Sequence, residues 1–353
     1  MTDETIGVMI VDDSAVVRGL LRNIFENTAD LHVVATAVNG RDAVMQYNKL
    51  NPNGTGPIDV IVMDLTMPEM DGITALRTLK EFDKDVRVIV CSAAGATGSP
   101  AAIEAMAAGA ADCMAKPTGN DTLSDGSDFS RTLIRKIIGI SKKRNTANIN
   151  MQAIPLRPVP TGFVRADILA IGSSTGGLQA LFDVLSPLRG KLNIPVVITQ
   201  HMSAGFTGLA AEQIAQRTGI PTYLGVDGVK LSAGHIYMAP DARHMTLLRK
   251  EDSVFIKLDD GPPENFCKPA VDPMMRSLTK CYRRNILSVI LTGMGSDGLA
   301  GARYIVEAGD NVLIAQDQAS SIVWGMPGAV AQAGLCNFVL PAGKIAEKIV
   351  SLL

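Results

Sequence analysis

Residues 168–181 read ILAIGSSTGGLQAL: an apolar run, a knot of Gly, Ser and Thr, then apolar positions at helical spacing. The pattern predicts a strand, a sharp turn and a helix. It recurs outward from this point, with DILAIG, IPVVITQH, HIYMAP, NILSVILTG, NVLIAQD and NFVLP as strands and FTGLAAEQIAQRTG and DGLAGARYIVEAG as helices. Alternation of this kind predicts a doubly wound, mainly parallel α/β sheet over residues 166–353. The stretch HMTLLRKEDSVFIKLDDG interrupts it and predicts a small antiparallel hairpin.

The knot itself, Gly172-Ser173-Ser174-Thr175-Gly176, satisfies GxSxG, in which small neighbours let a serine sit exposed on a strand-to-helix turn. A glycine-rich phosphate loop at a helix N-terminus, or a plain structural turn, is equally compatible with this string alone. It carries neither the GK[ST] of a P-loop nor a full GxGxxG, and the next strand ends in VVITQHM with no acid. A serine nucleophile needs a base, and the base needs an orienting group. Of the four histidines, His32 lies in the N-terminal half and His235 and His244 flank IYMAPDA, whereas His201 alone ends a strand expected to run beside that of Ser174. A packed or solvated loop histidine is its bland alternative. The loop after LSVILTG carries Asp297, a candidate orienting acid or simply a helix cap, and Gly293-Met294-Gly295 offers backbone N–H donors for an oxyanion. The order Ser, His, Asp differs from the Ser, Asp, His of α/β-hydrolases.

Residues 1–140 repeat the alternation with GVMIVDD, HVVATA, IDVIVMD, RVIVCSA and DCMAKP as strands, which predicts five βα units. Val17, Leu20, Leu21, Ile24 and Phe25 mark the expected core face of the first helix. Asp12, Asp13, Asp64, Ser92 and Lys116 all fall at expected strand ends, which in an open parallel sheet share one crevice. Three converging carboxylates repel one another without a cation, and their hard oxygens suit Mg²⁺. Such a site can carry a phosphoryl group on Asp64, with Lys116 and Ser92 binding its oxygens. Taken singly, the Asp-Asp-Ser string is also a helix cap and Lys116 a solvated lysine.

The chain has 353 residues, 47% hydrophobic and 19% charged, more than one core usually organises and unlike a disordered protein. No apolar run approaches the ~20 residues that span a bilayer, and the first residues are acidic rather than signal-like, so the expectation is a cytoplasmic protein without membrane insertion. Five scattered cysteines without CxxC spacing fit reduced thiols. Residues 1–140 hold 12 Lys/Arg against 19 Asp/Glu, residues 141–165 hold 5 against none, and residues 166–353 hold 16 against 16. Neither large segment is basic, which argues against a nucleic-acid partner. The basic, proline-containing stretch 141–165 is expected as a linker between domains 1–140 and 166–353.

Asp12-Asp13, DLTMPEMDG around Asp64, Ser92 and the Lys-Pro at Lys116 resemble a response-regulator receiver domain, from residue 6 to about residue 140. That resemblance implies a flavodoxin-like (βα)5 fold and Asp64 as acceptor of a phosphoryl group from a chemotaxis histidine kinase. It also implies Mg²⁺ held by Asp12, Asp13, Asp64 and the Thr66 carbonyl, with Ser92 and Lys116 as the switch. Receivers commonly carry Tyr or Phe three positions before the lysine, where this chain has Cys113. IGSSTGG, QHM, TGMGSDG and QDQASSIVWGMPGAV resemble the catalytic domain of chemotaxis protein-glutamate methylesterases, the CheB family. This implies Ser174 as nucleophile, His201 as general base and acid, Asp297 as orienting carboxylate, Met294 N–H as oxyanion donor and Thr175 in support of the turn, with no cofactor in that domain. Ser173 stands where many members have alanine. The implied substrate is a methyl-accepting chemoreceptor's cytoplasmic helix, demethylated at glutamate esters and deamidated at glutamines. The alternatives are a receiver joined to a nucleotide-binding, scaffolding or DNA-binding module.

Overall fold

A run of six apolar residues, Ile6–Val11 (β1), leaves no face for water, and the strand lies in mid-sheet with every residue buried. The computed structural model describes residues 5–93, 100–116, 127–141 and 154–353, with only the backbone at 92–93, and the chain forms two units, Met1–Asn150 and Met151–Leu353. In the first unit β1 leads to α1 (Ala15–Glu26), β2 (Leu31–Ala37), α2 (Gly40–Leu50), β3 (Val60–Asp64), α3 (Gly72–Phe82), β4 (Val88–Ala93), α4 (Pro100–Ala107), β5 (Asp112–Lys116) and α5 (Asp128–Ile140). The five strands are parallel in the order β2-β1-β3-β4-β5, the flavodoxin-like winding expected. The chain moves from β1 to β2, then returns across β1 to β3, so the crevice opens where Asp12 and Asp64 end their strands. Ser14 caps α1 by accepting from the Val17 N–H at 3.4 Å, which leaves Asp13 free of the capping role. On α1, Leu21, Ile24 and Phe25 are buried and Val17 is half-buried, but Leu20 is exposed beside Val16, since the sheet covers a narrower stripe than the sequence marks.

The second unit runs β6 (Ile168–Ser173), α6 (Gly177–Leu185), β7 (Val196–Gln200), α7 (Thr207–Thr218), β8 (Thr222–Leu224), β9 (Ile236–Met238), β10 (His244–Lys250), β11 (Ser253–Asp259), α8 (Val271–Cys281), β12 (Ile286–Ile290), α9 (Leu299–Glu307), β13 (Val312–Gln316), α10 (Met326–Gln332), β14 (Phe338–Leu340) and α11 (Ala342–Val350). Seven parallel strands take the order β14-β13-β12-β6-β7-β9-β8, and β10 and β11 form the antiparallel hairpin. All six expected strands are present; β8, three residues on the sheet edge, has too little pattern to announce itself. The hairpin buries Met245, Leu247, Val254 and Ile256 against Met274, Met275 and Leu278 of α8, and the Leu247 N–H donates to Ser277 Oγ at 2.9 Å. Residues 154–165, within the stretch expected as linker, lie on this unit: Arg157 N–H donates to the Cys336 carbonyl at 2.8 Å and Asn337 Nδ2 to the Pro158 carbonyl at 2.8 Å. The switch point here falls between β6 and β12, because the chain builds outward through β7 and then returns to the other side of β6.

Candidate active site and phosphoacceptor pocket

The turn after β6 is built to hold two adjacent serines in unlike surroundings. Ser173, the last residue of the strand, is fully buried, and its hydroxyl donates to Gln200 Oε1 at 2.5 Å. Ser174, the first residue of the turn, is half-buried, with its N–H on the Thr292 carbonyl at 3.0 Å and its carbonyl accepting from Gly177 N–H at 2.7 Å. Gly176 follows at φ 77°, where a Cβ would also lie 2.5 Å from Ile322 Cγ1, so glycine alone fits the bend. Gln200 Nε2 donates both to the Ser174 carbonyl and to the His201 carbonyl, each at 2.8 Å. Together with the His201 N–H on the Ser173 carbonyl at 2.9 Å, this one side chain ties the ends of β6 and β7 to each other.

His201 Nε2 lies 2.7 Å from Asp297 Oδ2. Asp297 is buried, and its two oxygens also accept from the N–H groups of Val271 at 2.6 Å, Asp272 at 3.0 Å and Gly298 at 2.9 Å and from Asn265 Nδ2 at 3.1 Å. Burial works against ionisation of this carboxyl, but the hydrogen bond and charge of His201 and the backbone donors outweigh it and hold its pKa below the ordinary range. For His201, burial likewise opposes the charged form, yet Asp297, aided by Cys267, lifts the imidazole from 6.5 to about 9. The other ring nitrogen, Nδ1, faces Cys267 Sγ at 3.5 Å, and among the described residues no hydrogen bond joins it to Ser174. With Nε2 engaged by the carboxylate, Nδ1 is the nitrogen left to take a proton.

Gly293 explains how the third glycine-rich element reaches the serine. A Cβ there would stand 2.7 Å from Ser174 Cβ and 2.4 Å from Met326 Sδ, so only a bare backbone can pass. Met294 comes next, half-buried, and its N–H makes no hydrogen bond among the described residues, as an oxyanion donor requires. The segment 324–329 buttresses this loop: Gly325 and Met326 N–H donate to the Gly293 carbonyl at 3.1 and 2.8 Å. Thr175 is buried, and its carbonyl accepts from Thr292 Oγ1 at 2.9 Å, which pins the turn to the loop. The remaining histidine alternatives in this unit are accounted for. His244 is buried between the Pro262 carbonyl and the Ala270 N–H, and His235 stacks with Tyr223 and Tyr237.

Four residues escaped the sequence reading. Gln200 is the clamp between strand ends. Asp272, buried in α8, accepts from Gly298 and Gly301 N–H at 3.0 and 2.6 Å; burial raises its pKa, and the neighbouring Asp297 charge adds to that. Asn265 bridges Asp272 Oδ2 and Asp297 Oδ1, and Cys267 meets His201. Asn265 and Cys267 share the loop after the hairpin, where no periodic pattern flags them. Gln200 was visible in QHM, next to the candidate base.

In the first unit, ligand oxygens of Asp12, Asp13 and Asp64 lie within 4.8 Å of one another. Lys116 Nζ sits 2.6 Å from Asp12 Oδ2 and 3.0 Å from Asp64 Oδ2. One ammonium against three carboxylates leaves an excess of negative charge, and the free oxygens are hard donors, so the cluster suits a divalent ion such as Mg²⁺. Burial raises the Asp64 pKa, an effect only partly relieved by Lys116. The Lys116 pKa is also raised, burial being outweighed by the two carboxylates it bridges. Arg18 Nη1 fixes the Asp12 and Asp13 carbonyls at 2.7 and 3.0 Å. Thr66 is exposed two residues beyond Asp64. Ser92 is the last residue but one of β4, opposite Ala115, and its side chain lies outside the described residues. Cys113 is buried in β5, and burial pushes its thiol far up, so this position is part of the apolar core.

Residues 169–349 match the family described as CheB methylesterase, and residues 8–126 match the response regulator receiver domain. The protein-glutamate methylesterase/protein-glutamine glutaminase of Azospirillum brasilense is 42% identical over 370 residues, covering 98% of this chain and 92% of that relative. Its namesake in Nitrobacter hamburgensis (strain DSM 10229 / NCIMB 13809 / X14) is 44% identical over 368 residues, covering 99% and 94%. Among solved structures, the CheB methylesterase catalytic domain of Thermotoga maritima is similar at a TM-score of 0.52 and 35% identity, covering 54% of this chain and 100% of that one.

Proposed function

Because the chain belongs to the CheB methylesterase family and carries a receiver domain ahead of the esterase, we propose that it is a phosphorylation-regulated serine hydrolase acting on chemoreceptors, with Ser174, His201 and Asp297 as its catalytic residues. It demethylates glutamate γ-methyl esters and deamidates glutamines on the receptor's cytoplasmic helices. Residues 1–140 form the receiver and 166–353 the catalytic domain, joined by 141–165, of which 154–165 pack on the catalytic unit. The observation that carries the residue assignment is the meeting, at adjoining strand ends, of a half-buried serine, the His201–Asp297 pair and the bare backbone of Gly293.

The ester carbonyl carbon is attacked by Ser174 Oγ as its proton passes to His201 Nδ1. Asp297 stabilises the imidazolium that results and keeps the ring oriented. Met294 N–H stabilises the oxyanion. His201 then protonates the departing methoxide, which leaves as methanol. Water, deprotonated by the same imidazole, opens the acyl-enzyme and frees the carboxylate. With glutamine the leaving group is ammonia.

In the receiver, Asp12, Asp13, Asp64 and the Thr66 carbonyl would hold Mg²⁺, which when bound offsets the charge of an incoming phosphoryl group. Asp64 accepts that group from a histidine kinase. Lys116 transfers its ion pair from the carboxylates to a phosphoryl oxygen, and Ser92 hydrogen-bonds another. No described helix is long and apolar enough to cross a membrane, in keeping with work on the cytoplasmic side of receptors.

Methanol release from a methylated receptor fragment tests the regulation. A small phosphodonor with Mg²⁺ is expected to stimulate the wild type by roughly 5- to 150-fold, the usual span of coupling between two sites. Asp64→Asn and Mg²⁺ chelation each remove that stimulation. Full stimulation of Asp64→Asn would overturn Asp64 as the acceptor.

The pH profile of kcat/KM tests the base. Only the neutral imidazole accepts the serine proton, so the rate rises with pH, and because the His201 pKa is lifted from 6.5 to about 9 the rising limb lies above 6.5. A limb at or below 6.5, measured on 4-nitrophenyl acetate, would contradict the arrangement.

A further inference from the structure

Between two of the residues that touch the His201–Asp297 pair, Asn265 and Cys267, stands a phenylalanine that packs against almost nothing. Phe266 is 98% exposed, more than any other large apolar residue described, the next being Val164 at 75%. Its neighbours are committed to the catalytic centre, Asn265 by its hydrogen bond to Asp297 and Cys267 by its contact with His201. We infer that Phe266 grips the substrate: its ring docks on an apolar side chain of the receptor helix about one turn from the methylated glutamate and seats the ester at Ser174.

The backbone supports this placement. Asn265 and Phe266 both adopt left-handed φ, 51° and 62°, a conformation that glycine tolerates and a phenylalanine resists. Strain of this kind persists only where surrounding contacts impose it, and it gathers at functional sites. The contacts are present. Glu264 and Cys267 exchange both backbone hydrogen bonds, at 3.1 and 2.8 Å, and Glu264 is ion-paired to Arg276 of α8. Lys268 Nζ holds the Asp260 carbonyl at 3.0 Å. A tight, anchored turn therefore lifts one aromatic ring off the surface at a fixed distance from the base.

The reaction itself supplies the occupant. A glutamate side chain is short, so a methyl ester that reaches Ser174 brings its own helix to the rim of the site. Side chains three or four positions along that helix lie ~5–6 Å from the glutamate, Cβ to Cβ. Consecutive Cα atoms are ~3.8 Å apart, so Phe266 cannot lie far from a helix whose ester is within reach of His201. An aromatic ring at such a rim gains little in the free enzyme and much once water is excluded around it.

The inference rests on the methylesterase reading above, and the test separates the two. Steady-state kinetics are measured with a methylated cytoplasmic receptor fragment and with 4-nitrophenyl acetate, which has no helix to grip. For Phe266→Ala and Phe266→Gly the ratio of receptor to small-ester kcat/KM is expected to fall roughly 10- to 30-fold, chiefly through receptor KM. Phe266→Leu retains most of the ratio and Phe266→Asp loses the most. Phe266→Gly also relieves the left-handed strain, so its melting temperature equals or exceeds that of the wild type. An unchanged ratio in Phe266→Ala, or equal losses on both esters, overturns the inference and leaves the esterase reading intact. A wild type that releases no methanol from the receptor overturns both.

Discussion

Ser174→Ala is expected to lower methanol release from methylated receptor by about 10⁴- to 10⁶-fold, while Ser173→Ala stays within about tenfold of wild type. The two serines are adjacent, so the contrast isolates position from chemistry. Ser174 is half-buried with its Cβ beside the Gly293 backbone, and on the proposed mechanism no acyl-enzyme forms without its hydroxyl. The Ser173 hydroxyl is sealed in the sheet on Gln200. Its removal leaves a buried acceptor short of one partner and loosens the clamp between strand ends, a stability loss of about 1–2 kcal/mol with the nucleophile still in place. Single-turnover assays with radiolabelled methyl groups, paired with denaturant melts, read both quantities. Residual activity in Ser174→Ala equal to that of Ser173→Ala would remove Ser174 from the mechanism.

Asp297→Asn is expected to lower kcat/KM by about 10³- to 10⁴-fold and to destabilise the catalytic domain by about 2–4 kcal/mol. The double effect follows from the donors that surround the carboxylate. His201, Val271, Asp272, Gly298 and Asn265 all point N–H groups at it, so an amide NH₂ in place of either oxygen sets donor against donor. The residual activity should also titrate differently. Asp297 is what raises the His201 pKa against its burial, so its neutralisation moves the rising limb of the pH profile down while the plateau falls. The sign is firm: loss of a negative neighbour destabilises the imidazolium. A variant with normal stability and an unmoved limb would deny Asp297 its orienting role.

Apart from the short edge strand β8, the strands and motifs of both units are legible in the chain because each is local. Apolar runs ending in Asp, Ser, Gln-His or glycine mark strands whose ends carry polar groups, and the GxSxG string fixes the turn that separates Ser173 from Ser174. What stays silent is tertiary. Asp272 looks like an ordinary acid in the first turn of a helix, Asn265 and Cys267 lie in a loop without period, and their partners are 7, 32 and 66 residues distant. Leu20 shows the converse limit: helical spacing names an apolar face but not how much of it the sheet covers. The string alone could not choose between nucleophile and phosphate loop; the carboxylate's partners, gathered from four parts of the chain, speak for the former.

The position of the switch point between β6 and β12 governs when this site comes into being during synthesis. Ser174 and His201 leave the ribosome early, but the carboxylate hydrogen-bonded to the histidine follows 96 residues later, and the Thr292 hydroxyl that pins the turn is 117 residues beyond its partner Thr175. Central strand β6 has one open flank until β12 inserts beside it. On the proposed assignment of the catalytic residues, the nascent chain therefore lacks its esterase site through most of its translation, and gains it only after β12, the strand that closes the middle of the sheet, and the loop that follows it have been made.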